Sequence, residues 1–201
     1  LLVGVLRENK SGGASSIQTS LPARNIGLSG RFTYAYDGRY FAEANFGYNG
    51  SERFAKNERF GFFPSIGAGW MISEEKFWNQ DLKNIINKLK LKGTYGLVGN
   101  DNIGAWNDRF FYMSEVNLNG SGANFSWGQD FERNVGTIDM IRYRNDKIKW
   151  EIAQKMNLGL EVGLFNIFDI QFDYFTEYRK NIFGERQTIP YEMGFSAPLY
   201  A

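Results

Sequence analysis

The sequence predicts an all-β protein, a segment of an antiparallel transmembrane β-barrel with long extracellular loops. Apolar and polar residues alternate with a period of two over several long segments, as in a strand with one oily face and one wet face. Most of these segments reach the roughly 9 to 11 residues that a tilted strand needs to cross a bilayer. Aromatic residues make up 17% of the chain, and 23 glycines accompany 4 prolines. This composition favours strands and membrane interfaces.

The clearest alternation runs from residue 148 to residue 178 and predicts a long hairpin with a break at Asn166 to Asp169. The apolar row of its first arm is predicted to face lipid and consists of Ile148, Trp150, Ile152, Met156, Leu158, Leu160, Val162 and Leu164. The opposite row is predicted to face a lumen and consists of Lys149, Glu151, Lys155, Glu161, Asp173, Glu177 and Arg179. Such a row either forms cross-strand ion pairs or lines a translocation path.

Shorter alternations precede this hairpin. Leu1 to Arg7 reads as the end of a strand, and a polar loop follows. Asn25 to Tyr36 and the strand from Tyr40 to Tyr48 flank Asp37-Gly38, a strong type I′ hairpin signal.

The next strand, Phe60 to Ile72, contains Pro64, which predicts a break or bulge because proline cannot donate to a ladder. Ser73 is a candidate cap for a short helix over Glu74 to Asn87. A further strand follows from Leu89 to Leu97.

The connections alternate between long and short along the chain, as they do in outer-membrane barrels, where external loops are long and periplasmic turns are short. Asp37-Gly38, Glu74 to Asn87 and Asn166 to Asp169 are therefore predicted to face the periplasm. About seven strands result, and an open row of this kind leaves two unpaired edges in lipid. We therefore expect further strands from elsewhere in a longer protein, of which residues 1–201 are an internal piece.

Composition excludes several classes of function. The 23 basic and 22 acidic side chains nearly balance, which gives no reason to expect nucleic-acid binding. The chain has no cysteine and no histidine. Disulfides, the usual zinc sites and Ser-His or Cys-His catalytic pairs are thereby excluded, and we expect no catalytic residues, metal or cofactor.

Three stretches together resemble the SusC-like TonB-dependent outer-membrane transporters of Bacteroidetes-type bacteria. They are GRFTYAYDGRYFAEANFGYNGSERFAKNERFGFFPSIGAGWMISEEKFW from Gly30 to Trp78, LKLKGTYGLVGNDNIG from Leu89 to Gly104, and EYRKNIFGERQTIP from Glu177 to Pro190. The resemblance implies a 22-stranded barrel in the outer membrane of a Gram-negative bacterium. It also implies import of glycans or peptides beneath a SusD-like lipoprotein lid, driven by TonB through an N-terminal part that this chain lacks, with lipid or lipopolysaccharide around the barrel.

Residues 101–146 show no long alternation and are predicted to form a long loop rich in aromatic residues. Its candidate site residues are Trp106, Phe110, Tyr112 and Trp127. They either stack on ligand or contact the lid, or else pack the loop against its neighbours.

Two alternative functions remain open. One is a structural or adhesive outer-membrane barrel without active transport, which would lack an N-terminal plug domain. The other is a soluble β-sandwich that acts as a binding module, which would extract from cells without detergent.

Overall fold

Strands form most of the backbone in the computed structural model, which describes residues 1–10, 20–104, 109–131 and 133–184. The strands are β1 (Leu2–Asn9), β2 (Ala23–Tyr36), β3 (Tyr40–Ser51), β4 (Phe60–Met71), β5 (Ile86–Asn100), β6 (Glu115–Trp127), β7 (Arg133–Arg142), β8 (Glu151–Leu164) and β9 (Phe168–Lys180). A 3-10 turn, Ile72–Glu74, and the helix α1, Gln80–Ile85, connect β4 to β5. None of the helices in the described part of the chain is long and apolar enough to cross a membrane.

Seven strands form one sheet in the order β1-β2-β3-β4-β5-β8-β9, and every neighbouring pair is antiparallel. Within the described part of the chain, strands β6 and β7 pair only with each other. The seven-stranded sheet confirms the predicted all-β, antiparallel fold. Within the described residues it is open, with β1 and β9 at its edges.

Each strand places alternate residues on two faces, because side chains alternate across a strand. On the apolar face, aromatic residues meet across strands, as Phe46 meets Phe62 at 6.3 Å and Tyr48 meets Phe60 at 5.3 Å between ring centroids. These rows lie largely open, with Ile66 exposed by 63%. On the charged face, Arg31 pairs with Glu43 at 2.7 Å.

Two tight turns join strands at one end of the sheet, here called the turn end. Asp37 and Gly38 both have positive φ, and the Arg39 N–H donates to the Tyr36 carbonyl at 3.0 Å, which confirms the predicted turn. Between β8 and β9, Phe165 and Asn166 have positive φ. This turn therefore begins one residue earlier than the predicted break.

Of two local predictions around β4, the helix cap is wrong, and the break at Pro64 is found on one side of the strand only. Helix α1 is capped by Asn79, whose Oδ1 accepts from the Leu82 N–H at 3.1 Å, and not by Ser73. Pro64 causes no break in the β3 ladder, where it pairs with Phe46. Its consequence lies on the other side, because the ladder to β5 ends at the next residue, Ser65.

The predicted long loop of residues 101–146 contains the β6–β7 hairpin, which sequence alternation did not indicate. The two strands pair with register shifts at Glu115/Val116, between Asn117 and Gly120, and between Gly120 and Phe125. Each shift changes which positions share a face, and this removes the period-two signal.

Candidate functional site

The largest set of buried side chains lies at the end of the sheet opposite the tight turns, here called the loop end. This loop-end cluster consists of Phe54, Phe63, Ile103, Phe111, Ile148 and Trp150, with Leu97, Ile152 and Phe183 packed against it. Apart from Phe63 on β4, the buried members come from the connections β3–β4 and β5–β8, five residues in all. The cluster therefore ties two loop-end connections to the wall formed by the sheet.

Trp150 lies at the centre of this cluster. Its ring contacts Phe54 at 5.3 Å and Phe63 at 5.2 Å between centroids, the latter edge-on at 60°. Its indole Nε1 donates to the Arg59 carbonyl at 3.1 Å, so the buried polar atom is satisfied. Gly99 leaves the space for Phe63, since a Cβ at position 99 would lie 2.0 Å from the Phe63 ring.

The placement of Ile148 and Trp150 corrects the predicted lipid-facing row. Strand β8 begins at Glu151, and both residues precede it and are buried at 8% and 7% exposure. The alternation of apolar residues continues past the strand end because the loop-end cluster also needs apolar side chains there. Leu158 and Leu160, within β8, remain on the apolar face and are exposed.

The candidate residues of the predicted loop have different surroundings. Phe110 is buried and meets Tyr112 at 5.9 Å in a T-shaped arrangement, and the Tyr112 hydroxyl donates to the Glu52 carbonyl at 3.4 Å. Trp127 ends β6 and is 61% exposed. Trp106 lies outside the described residues. The structure thus brings Phe110 and Tyr112 together, while Trp127 shows no ring contact with either among the described residues.

A cavity of about 510 Å³ lies beside the loop-end cluster, between β1, β2 and the β3–β4 and β5–β8 connections. Its charged lining residues are Arg7, Arg24, Glu52, Arg53, Asp101 and Arg109. We call it the arginine cavity, because four arginines face two carboxylates. Its lining also includes the amides of Asn9, Asn25 and Asn49 and the rings of Phe110 and Trp150.

Hydrogen bonds fix the walls of the arginine cavity. Asn25 donates to an Asp101 carboxylate oxygen at 2.8 Å, which joins β2 to the start of the β5–β8 connection. The Arg53 Nη1 donates to the carbonyls of Asp101 and Ile103, both at 3.1 Å. Arg53 therefore holds the turn after β5 with one nitrogen of its guanidinium.

Burial affects two ionisable groups at this end of the sheet. Arg109 is 1% exposed and donates to the Leu21 carbonyl at 2.9 Å. Burial lowers the pKa of Arg109, and the positive charge of Arg53 lowers it further. Burial raises the pKa of the Tyr112 hydroxyl, so this group stays neutral and able to donate at physiological pH.

Ion pairs link β5, β8 and β9 on the charged face. Lys92 lies between Glu161 at 3.2 Å and Asp173 at 3.4 Å, and Lys88 reaches Glu161 at 2.8 Å. Further along β8 and β9, Lys155 contacts Glu177 at 3.4 Å. The charged residues of this face thus form the cross-strand pairs that one of the two interpretations of the row predicts.

Glu75 organises the turn end. It accepts from the Tyr40 hydroxyl at 2.5 Å and from the Trp70 indole at 2.9 Å, and it pairs with Arg39 at 3.1 Å. The Tyr40 and Trp70 rings stack at 6.5 Å. The Tyr40 hydrogen bond, together with the Trp70 bond and the Arg39 charge, lowers the pKa of Glu75 below the usual value of 4.5.

Sequence reasoning missed several of these residues. Phe63 carries a usable signal, because it is a large apolar residue in the row of small residues on β4. Arg53 carries no such signal, since its partners lie 48 or more residues away along the chain. Glu75 carries none either, because two of its three partners, Tyr40 and Arg39, lie 35 and 36 residues away. In the described residues no group of three or more acidic side chains is arranged to hold a metal ion.

No protein-family model matches the chain. Known proteins do match it. TonB-dependent receptor P3 of Formosa agariphila is 29% identical over 172 residues, which are 84% of this chain and 16% of the receptor. TonB-dependent receptor SusC of Bacteroides thetaiotaomicron is 33% identical over 151 residues, which are 74% of this chain and 14% of SusC.

This chain belongs to the SusC-like TonB-dependent receptors. The fold agrees, since the RagAB peptide importer in its closed-closed state superposes with a TM-score of 0.68 at 22% identity over 94% of this chain. This SusC-like chain spans 14 to 20% of the length of these proteins. Its open seven-stranded sheet corresponds in fold to part of the wall of such a barrel.

Proposed function

We propose that this chain forms part of the barrel of an outer-membrane, TonB-dependent importer of oligosaccharides or oligopeptides. The observation that carries the proposal is the contrast between the two faces of the sheet. Long rows of apolar side chains lie exposed on one face, while ion pairs bridge β5, β8 and β9 on the other. A wall between lipid and a water-filled lumen requires such a contrast.

The proposal extends to the rest of the receptor. Residues 1–201 belong to the barrel domain, a plug domain and further strands complete it, and TonB acts through the N-terminal part. A SusD-like lipoprotein covers the loop end, in a Gram-negative, Bacteroidetes-like cell. The similarity to SusC supports these assignments, and the RagAB neighbour is a peptide importer by its own description.

We also propose that the exposed Trp127 contacts ligand or the lid, together with Trp106. We propose the same role for Phe110 and Tyr112, whose rings meet in a T-shaped contact. An exposed tryptophan suits this role because its large flat ring packs well against a sugar face or a protein partner.

Uptake by cells tests the proposal. Deleting the receptor gene should abolish accumulation of fluorescent oligosaccharides or oligopeptides, and an uncoupler of the proton motive force should do the same in wild-type cells. If deletion removes cell-surface binding but leaves uptake unchanged, the structural or adhesive alternative is correct instead. If the receptor extracts from cells without detergent, the soluble binding-module alternative is correct.

A further inference from the structure

The arginine cavity combines an excess of positive charge with groups that suit an organic ligand. We propose that this cavity binds a carboxylate group of the imported molecule, with Arg7, Arg53 and Arg109 facing the negative charge. The inference rests on the proposed import function and narrows its substrate class. A peptide carboxylate and the carboxylate of an acidic sugar share this chemistry.

Arg53 and Arg7 are two of the positively charged residues that line the cavity. The ion pairs in the described part of the chain include neither residue, whereas Arg24 in the same cavity pairs with Glu8 at 2.9 Å. Arg53 uses only its Nη1 atom to hold the turn after β5. Arg53 thus lines the cavity without a carboxylate partner among the residues that the structure describes.

Arg109 adds a further positive charge to the same cavity. It is buried beside the same cavity and lies over the Phe110 ring at 4.9 Å, which fixes its plane. Burial, and then the nearby charge of Arg53, lower the pKa of Arg109, so its positive charge is disfavoured in the cavity. A bound anion relieves this repulsion. A carboxylate suits the site because its two oxygens can accept two parallel hydrogen bonds from one guanidinium group.

The remaining lining determines what else the ligand must offer. Asparagine amides both donate and accept hydrogen bonds, so Asn9, Asn25 and Asn49 suit peptide groups and sugar hydroxyls alike. Trp150 and Phe110 contribute flat apolar surface. At about 510 Å³ the cavity has room for a few residues or sugar units.

Titration calorimetry on the full-length receptor in detergent tests the inference with two matched probe pairs. One pair is an oligoalanine with a free C-terminal carboxylate and the same peptide as its amide. The other is an oligogalacturonate and its methyl ester. For at least one pair the acid should bind about tenfold more tightly than its neutral form, the effect of one charge-assisted hydrogen-bonded contact. The pair that shows the preference identifies the source of the carboxylate.

Variants locate the effect. Arg53→Gln and Arg7→Gln should each reduce the preference to below about threefold, and 0.5 M NaCl should weaken it in the wild type. Arg7 lies on β1 and its side chain makes no hydrogen bond to a loop in the part of the chain that the structure describes, so its variant keeps the test valid if Arg53→Gln disturbs the turn. Lys56→Gln removes an exposed charge from the β3–β4 connection outside the cavity lining and should leave the preference unchanged.

Equal binding of acid and neutral forms in both pairs overturns the inference, as does a preference that survives both arginine substitutions. Uptake assays on the same strains separate it from the proposed function. Import without a carboxylate preference overturns the inference alone. A carboxylate preference in a receptor that imports neither probe overturns the import function and leaves the site.

Discussion

Gly99 allows the Phe63 ring to pack against β5. An alanine at this position would place its Cβ 2.0 Å from that ring, which is buried inside the loop-end cluster. We expect Gly99→Ala to destabilise the protein by about 1–3 kcal/mol, the usual cost of overpacking a core. Chemical unfolding in detergent measures it.

Gly4→Ala is the matched control for this prediction. Gly4 lies on β1 of the same sheet, and a Cβ there would meet nothing within 4 Å. The unfolding midpoint of Gly4→Ala should therefore equal that of the wild-type protein. Equal midpoints for both variants would show that Phe63 has room to shift.

Glu75 makes the turn end sensitive to acid. Its pKa is lower in the folded protein than the unfolded value near 4.5, so its contacts stabilise the fold above that pH. This contribution is lost as pH falls below 4.5 through the folded pKa. Melting temperatures measured from pH 7 to pH 3 should therefore drop less steeply for Glu75→Gln than for the wild type, from a lower starting value.

The neighbouring carboxylate provides the comparison. Glu74 is half exposed and contacts Lys83 at 3.2 Å. Glu74→Gln should follow the wild-type acid profile closely, because exposed ion pairs contribute little. An identical profile for all three proteins would mean that the Tyr40, Trp70 and Arg39 contacts add no stability.

Individual residues were predictable where the signal is local. Asp37-Gly38 needs only its own backbone preference, and the structure confirms its positive φ values. Trp150 was predicted on the wrong surface, because its alternation with Ile152 and Ile148 does not reveal that β8 has already ended. Arg53 and Arg109 depend on contacts far along the chain, which periodicity does not encode.

At the scale of elements, the loop-end cluster stabilises the connections around Trp150. Trp150→Ala removes two ring contacts and the bond to Arg59, so we expect a loss of about 3–5 kcal/mol. Trp127→Ala, on the exposed end of β6, should leave the free energy of unfolding within about 0.5 kcal/mol of the wild-type value. Chemical unfolding of both variants measures this difference. It is monitored by far-ultraviolet circular dichroism, because that signal reports on the strands and not on the substituted tryptophan.

Elements with a steady period of two were predicted well, and those with irregular pairing were not. The strands of the seven-stranded sheet keep one register along most of each ladder. The β6–β7 ladder shifts three times within seven pairs, so its residues change faces and the pattern disappears from the sequence. Pro64 shows a related limit. The sequence predicts a disturbed ladder at this residue, but it does not indicate whether the pairing to β3 or to β5 is interrupted.

At the scale of the whole molecule, the proposed topology places the two ends of the sheet on opposite sides of the outer membrane. The chain contains no native cysteine, so single introduced cysteines report on accessibility. We expect a membrane-impermeant maleimide to label a cysteine at residue 56, or at a position within 105–130, on intact cells. A cysteine at residue 37 should react only after the outer membrane is opened. The reverse pattern would invert the proposed topology.

The loop-end cluster draws its side chains from separate connections that meet around a single indole. A change of volume at Phe54 must therefore be matched at Trp150 or Phe63, even though Trp150 lies far from the other two along the sequence. Among natural variants of this receptor, these sites should change in concert, while the exposed tip of the β6–β7 hairpin drifts on its own. Under the proposed import function, selection for new cargo thus has one freely variable segment and one whose changes must occur together.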